Sequence, residues 1–138
     1  MPVMTPDMLE AFHREVFPEM QLNLKVDHVD HESIVVSMQA DARHLRPGGT
    51  VSGPTMMELA DAAMYFLVLA QIGPVALAVT TNLNMNFLRK PEPGRMVAKG
   101  LLLKLGKALA VGEIGIFSGT SKDPVAHATV TYSIPPKR

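Results

Sequence analysis

The segment SGPTMMELADAAMYF sets two carboxylates, Glu58 and Asp61, three residues apart in an otherwise apolar run. On a helix that spacing puts both acids on one face. A carboxylate among apolar neighbours is costly unless it is paired, hydrogen-bonded or solvated through a pocket. Burial also raises its pKa, which is the adjustment a general base needs. The helix start pulls the other way, because its dipole favours negative charge there. Two acids stabilising an exposed helix end therefore account for these residues as well as a sheltered base does, and both readings stay open on composition.

Other residues of chemical interest are more scattered. Asp27-His28-Val29-Asp30-His31 has types that bind metals, but a tight polar turn between two strands explains it better, and no metal site is expected. In AVTTNLNMNFL, alternation puts Val79, Thr81, Leu83, Met85 and Phe87 on one side, the core side, and Thr80, Asn82, Asn84 and Asn86 on the other. A polar but uncharged face suits an interface or a ligand-lined surface better than open solvent. His127, alone on the last strand, is given no role. Without cysteine there is no disulfide, thiolate metal site or thiol nucleophile.

The elements that must hold these groups are marked by their caps. Ser52 is a good N-cap, Pro54 a good first-turn residue and Gly73-Pro74 a stop, giving a long central helix. Thr5-Pro6-Asp7 starts an earlier helix that should end before Pro18. Leu22, Leu24 and Val26 predict one strand, and Ile34, Val36 and Met38 a second. Four more follow at about 76–89, 95–105, 108–118 and 125–134, with turns at Pro91–Gly94, Gly106-Lys107 and Gly119–Pro124. The order helix, two strands, long helix, four strands, with short connections, predicts an α+β layer of one helix against an antiparallel sheet.

The 138 residues suit a single domain, 1–138, with residues 1–18 as a helix preceding the core. Thirteen basic and thirteen acidic residues cancel, so no global field would gather nucleic acid or an anionic membrane. From Ala62 to Leu88 there is no charged residue, but Gly73-Pro74 and the polar stretch 80–86 interrupt the run, so a spanning helix is not expected. The N-terminus has no cationic start followed by an apolar core, and a soluble, cytoplasmic protein is the expectation. The central helix has no polar stripe after Asp61. One sheet should cover part of it, leaving the rest for a second copy of the chain.

HLRPGGTVSGPTMMELADAAM, AVTTNLNMNFLRKPEPG, LLKLGKALAVGE and VAHATVTYSIP resemble the hotdog-fold acyl-CoA thioesterases of the phenylacetate-pathway (PaaI-like) branch, from about residue 20 to the C-terminus. That resemblance implies a long helix wrapped by an antiparallel sheet, homodimers joined edge to edge with active sites between subunits, and pairing of dimers into tetramers. It implies Asp61 as the catalytic carboxylate, acting as base or nucleophile, with the Gly53 N–H polarising the thioester carbonyl and Thr80 of the partner orienting water. An amide at a helix N-terminus is a sensible anion donor. His44, Arg46, Ser52, Glu58 and Asn82 become candidate substrate contacts. Arg89, Lys90, Lys104 and Lys107 become candidate partners for the phosphates of coenzyme A, which enters as part of the substrate, with no separate cofactor. As single residues, these cations are explained as well by edge solubility.

The chain departs from the family pattern at Ser52, where the family has His, at Pro54, where it has a second Gly, and at Arg46, where it has an amide. Those departures motivate an alternative, a non-catalytic hotdog module that binds acyl-CoA or acyl groups. An enoyl-CoA hydratase ranks last, since no His follows Asp61 at close spacing.

Overall fold

The computed structural model describes residues 2–19, 22–119 and 121–136. Helix α1 spans Pro6–Val16, with the Thr5 hydroxyl accepting from the Met8 N–H and Pro6 in the first turn. Strands β1 (Lys25–Val29) and β2 (Ser33–Ala40) follow, then a 3-10 turn at Ala42–His44 and helix α2 over Gly53–Ile72. The remaining strands are β3 (Val79–Phe87), β4 (Gly94–Leu105), β5 (Leu109–Ser118) and β6 (Ala126–Ser133). All pair antiparallel in one sheet of order β1-β2-β4-β5-β6-β3, with α2 lying across it. Both ends of α2 carry the expected caps: the Ser52 hydroxyl accepts from Thr55 N–H, and Gly73 closes the helix at φ 99°.

Three expectations need correction. The first strand starts at Lys25, not Leu22, and runs through Asp27, His28 and Val29. A bulge between Val26 and His28 keeps it paired, and Asp27 meets Arg95 at 3.3 Å. The turn is confined to Asp30–Glu32, where the Asp30 carboxylate accepts from the N–H of Glu32 and Ser33. Those bonds and His28 hold Asp30 well below the usual carboxylate range. Among the described residues no group of three or more His, Asp or Glu could hold a metal ion.

Second, β3 does not keep one phase. The register slips at Thr81, where Thr80 pairs with Tyr132 but Asn82 with Thr131. The bulge moves Thr80 to the helix side, along with Leu83 and Met85, and leaves Val79 exposed. Asn82, Asn84 and Asn86 are exposed on the other face, opposite Thr131, Thr129 and His127.

Third, α2 needs no second copy to cover its apolar sides. Residues 62–70 are all buried within one chain. The sheet takes one side, and at Gly112 an added Cβ would fall 2.7 Å from the Met64 sulfur, so helix and strand touch directly. α1 and the segment before it take the other side. Leu9 and Met4 join the core, Val3 N–H donates to the Ala70 carbonyl (2.6 Å), and Val26 N–H donates to Glu10 Oε2 (2.9 Å), tying α1 to β1. By length and composition α2 could cross a membrane, but here it is the core of a packed domain.

Candidate active site

Asp61 is partly buried, in the third turn of α2 and below the end of the sheet where β6 meets β3. Thr80 and Tyr132, direct cross-strand partners, both aim hydroxyls at it. The Thr80 hydroxyl donates to Asp61 Oδ1, and the Tyr132 hydroxyl lies 3.1 Å from the same oxygen and 3.2 Å from the Asp61 carbonyl. Burial and the Asp61 charge push the Tyr132 phenol far above its ordinary pKa, so it stays a donor throughout any working pH. With Oδ1 holding two donors, Oδ2 accepts no hydrogen bond among the described residues. One carboxylate oxygen is fixed, and the other is available as a base or nucleophile.

This carboxylate lines a cavity of about 210 Å³ with His13, Phe17, Ala62, Tyr65, Ala78, Val79, Thr80 and Tyr132. Its polar groups include the Asp61–Thr80–Tyr132 cluster, and His13, Phe17 and Tyr65 make it partly aromatic. Burial, and to a lesser extent Arg14, lower the pKa of His13, so its ring is neutral near pH 7.

The expected site residues do not all gather here. Gly53 lies eight residues before Asp61, about 12 Å along the helix axis, and lines a separate cavity of about 460 Å³ with Arg46, Thr50, Val51, Met56, Phe87, Leu88, Arg89, Lys90 and Pro91. The N–H of a first helical residue has no acceptor within its helix. Arg89 Nη1 also donates to the Pro124 carbonyl (2.6 Å). Ser52 caps the helix beside Gly53, its hydroxyl 2.8 Å from that of Thr55. Thr80, expected to serve the site from a partner chain, serves the Asp61 of its own chain.

Glu58 and His44 occupy a third cavity, with Leu22, Arg43, Pro54 and Thr55, so Glu58 does not share the Asp61 pocket. His44 is 4% exposed; its Nδ1 accepts from Asp41 N–H (3.0 Å), and its buried Nε2 has no partner among the described residues. Lys107 lies at the far end of α2, beside Gln71, Ile72 and Ile134, Lys104 is exposed on the same hairpin, and Asn82 faces outward. None of these three meets Asp61 or Gly53. His127 pairs with Glu113 (3.0 Å) on the outer sheet face.

Sequence reasoning missed Tyr132, His13, Phe17 and Tyr65. Alternation with Ala128 and Val130 is the one local signal for an inward Tyr132, and nothing local ties it to Asp61, 71 residues away.

Residues 48–125 match the family profile described as the thioesterase superfamily. The fold is that of solved hotdog thioesterases. A crystal structure from a Silicibacter species, of a protein provisionally named a thioesterase, is 50% identical, with 99% of this chain and 95% of that one covered at a TM-score of 0.90. A variant of the phenylacetic acid degradation protein PaaI from Thermus thermophilus is 26% identical, covering 91% and 99% at 0.71. A hypothetical thioesterase from Streptococcus pneumoniae, solved with coenzyme A, is 20% identical, covering 94% and 98% at 0.77.

Proposed function

This chain belongs to the thioesterase superfamily, and from that premise we propose that it hydrolyses acyl-CoA thioesters at a site shared by two copies, in the manner of the PaaI-like branch. The observation that carries this reading is the Asp61 carboxylate, fixed through Oδ1 by Thr80 and Tyr132 in a cavity lined, among the described residues, by no Lys or Arg.

The cavity has a base but no amide to receive the negative charge that develops on a thioester oxygen. The Gly53 cavity has the amide and three cations, but no acid. Strand β3 joins the two. Its beginning carries Thr80, next to Asp61, and its end carries Phe87, whose ring lies 3.4 Å from a Cβ built on Gly53. β3 is an edge strand with an unpaired side. Two such edges paired antiparallel about Leu83 would set residue 79 of one against residue 87 of the other. A two-fold dimer of this kind brings each Asp61 towards the partner's Gly53.

In that arrangement Asp61 Oδ2 takes a proton from water as the water attacks the thioester carbon. Alternatively, Oδ2 attacks that carbon itself to form a mixed anhydride that water hydrolyses after the thiolate has left. In either case the partner's Gly53 N–H holds the oxyanion. Collapse breaks the C–S bond, and the thiolate of coenzyme A leaves and is protonated. An oxyanion donor of this type contributes about 3–4 kcal/mol. Arg46, Arg89 and Lys90 at the same mouth suit the phosphates of coenzyme A, and the coenzyme A held by the pneumococcal relative supports that ligand. No metal or separate cofactor is invoked, and the product is formed in the cytoplasm. Pairing of dimers into tetramers is proposed through the outer sheet face, where Leu101, Leu103 and Leu109 are exposed.

The test is turnover of a panel of acyl-CoAs by wild type and Asp61→Asn, which keeps an acceptor for Thr80 and Tyr132. Retained turnover in the variant would remove Asp61 from the mechanism. Tight coenzyme A ligand binding without hydrolysis of any thioester would favour the acyl-binding alternative, which Ser52 and Pro54 motivate.

A further inference from the structure

Part of the wall of the Asp61 cavity lies outside the segment that the family profile matches. It is made by His13 and Phe17, from α1 and its C-cap, facing Tyr65 of α2. Phe17 stands edge-on to Tyr65 with ring centroids 5.5 Å apart, and His13 packs on Phe17 and Phe66 at 5.1 and 4.9 Å. Ala62 and Ala78 line the same cavity with small side chains. The wall is rigid, because α1 is held by buried Leu9, by Glu10 on the β1 backbone and by Val3 on Ala70. His13 is 7% exposed and makes no side-chain hydrogen bond among the described residues, so it acts as packing surface. Phe17, at 42% exposed, is the part of the wall that meets solvent.

We propose that α1 is the acyl selector of this protein: His13 and Phe17 line the chamber with Asp61 and narrow it, so that it takes an acyl group of one ring or a short chain and turns away longer ones. This rests on the thioesterase reading for the identity of the ligand. The chamber of about 210 Å³ exceeds the ~150 Å³ that admits benzene, so it has room for one ring. Each methylene beyond such a limit costs about 10-fold or more in specificity when the wall cannot yield.

The test compares Phe17→Ala, Phe17→Trp and His13→Ala with wild type on acyl-CoAs from four to sixteen carbons and on benzoyl- and phenylacetyl-CoA. The readout is kcat/KM against length, together with the Kd of S-alkyl-CoA thioethers of the same lengths, which cannot be hydrolysed. Phe17→Ala and His13→Ala should raise the twelve-carbon to six-carbon ratio about 10-fold or more, and Phe17→Trp should lower it. A general loss of folding would depress all lengths alike and would not reverse sign between Ala and Trp. An unchanged length profile in all three variants, with hydrolysis intact, overturns the proposal and leaves the thioesterase reading standing. If wild type hydrolyses nothing, a thioether length limit that moves with residue 17 still supports α1 as selector. An unmoved limit, or no thioether binding at all, overturns it.

Discussion

The cavity at Asp61 and the cavity at Gly53 divide between them what an acyl-transfer site requires. The first has a carboxylate, two hydroxyl donors, aromatic side chains and, among the described residues, no Lys or Arg. The second has a helix-terminal amide, Arg46, Arg89 and Lys90, and no acid. A carboxylate next to three cations would be held as an ion pair and lose basicity. An oxyanion donor next to a carboxylate in the same chain would face a resident negative charge. Within one chain the two lie about 12 Å apart on one helix and at opposite ends of one edge strand.

The largest effect should come from the acid side. Asp61→Asn should lower kcat by about 10²–10⁴-fold with little change in KM; a KM effect alone would make Asp61 a binding residue. Tyr132→Phe should cost about tenfold or somewhat more in kcat, the worth of one hydrogen bond to a charged group. Thr80→Val should do the same, while Thr80→Ser should restore most of the loss. If Tyr132→Phe leaves kcat untouched, Oδ1 is not held for catalysis.

On the cationic side the effect should be in KM. Arg46→Ala and Lys90→Ala should each raise KM for acyl-CoA about tenfold, and hardly change it for the acyl-pantetheine thioester, which lacks the nucleotide phosphates. Equal effects on both substrates would remove these residues from phosphate binding.

The smallest effect is on stability. The His13 pKa lies below its ordinary 6.5 in the folded chain, so the unfolded chain binds the proton first. Its contribution is complete above pH 6.5 and is lost as pH falls through the folded value. Asp30 and Asp41, also lowered, act below their ordinary 3.8, a separate window. Thermal melts of His13→Phe should therefore show a shallower decline just below pH 6.5 than wild type. Parallel curves would mean that His13 takes up its proton without penalty.

Much of the fold was legible because its signals are local. Ser52, Pro54 and Gly73 bracket α2 to the residue, and turn residues and alternation found the last five strands and the neighbourhood of the first. Asp61 was legible as an acid with no polar stripe around it. What escaped is non-local. The bulge at Thr81 reverses the phase of β3, so strict alternation put Thr80 on the wrong face. Tyr132 reaches Asp61 through strand order, which no window of residues contains. The apolar girth of α2 pointed to a second copy, because α1 was not foreseen as its cover. The case for a dimer therefore rests on the divided site and the open β3 edge.

That division is tested most directly by mixing two inactive variants, Asp61→Asn and Gly53→Pro, the second lacking the amide hydrogen at a helix position where proline is tolerated. After exchange of subunits at equal amounts, half the dimers are mixed, and each has one of its two sites intact. Activity should therefore return to about a quarter of wild type. A mixture that stays at the residual rate of its parents while forming mixed dimers would mean that each chain carries its site alone.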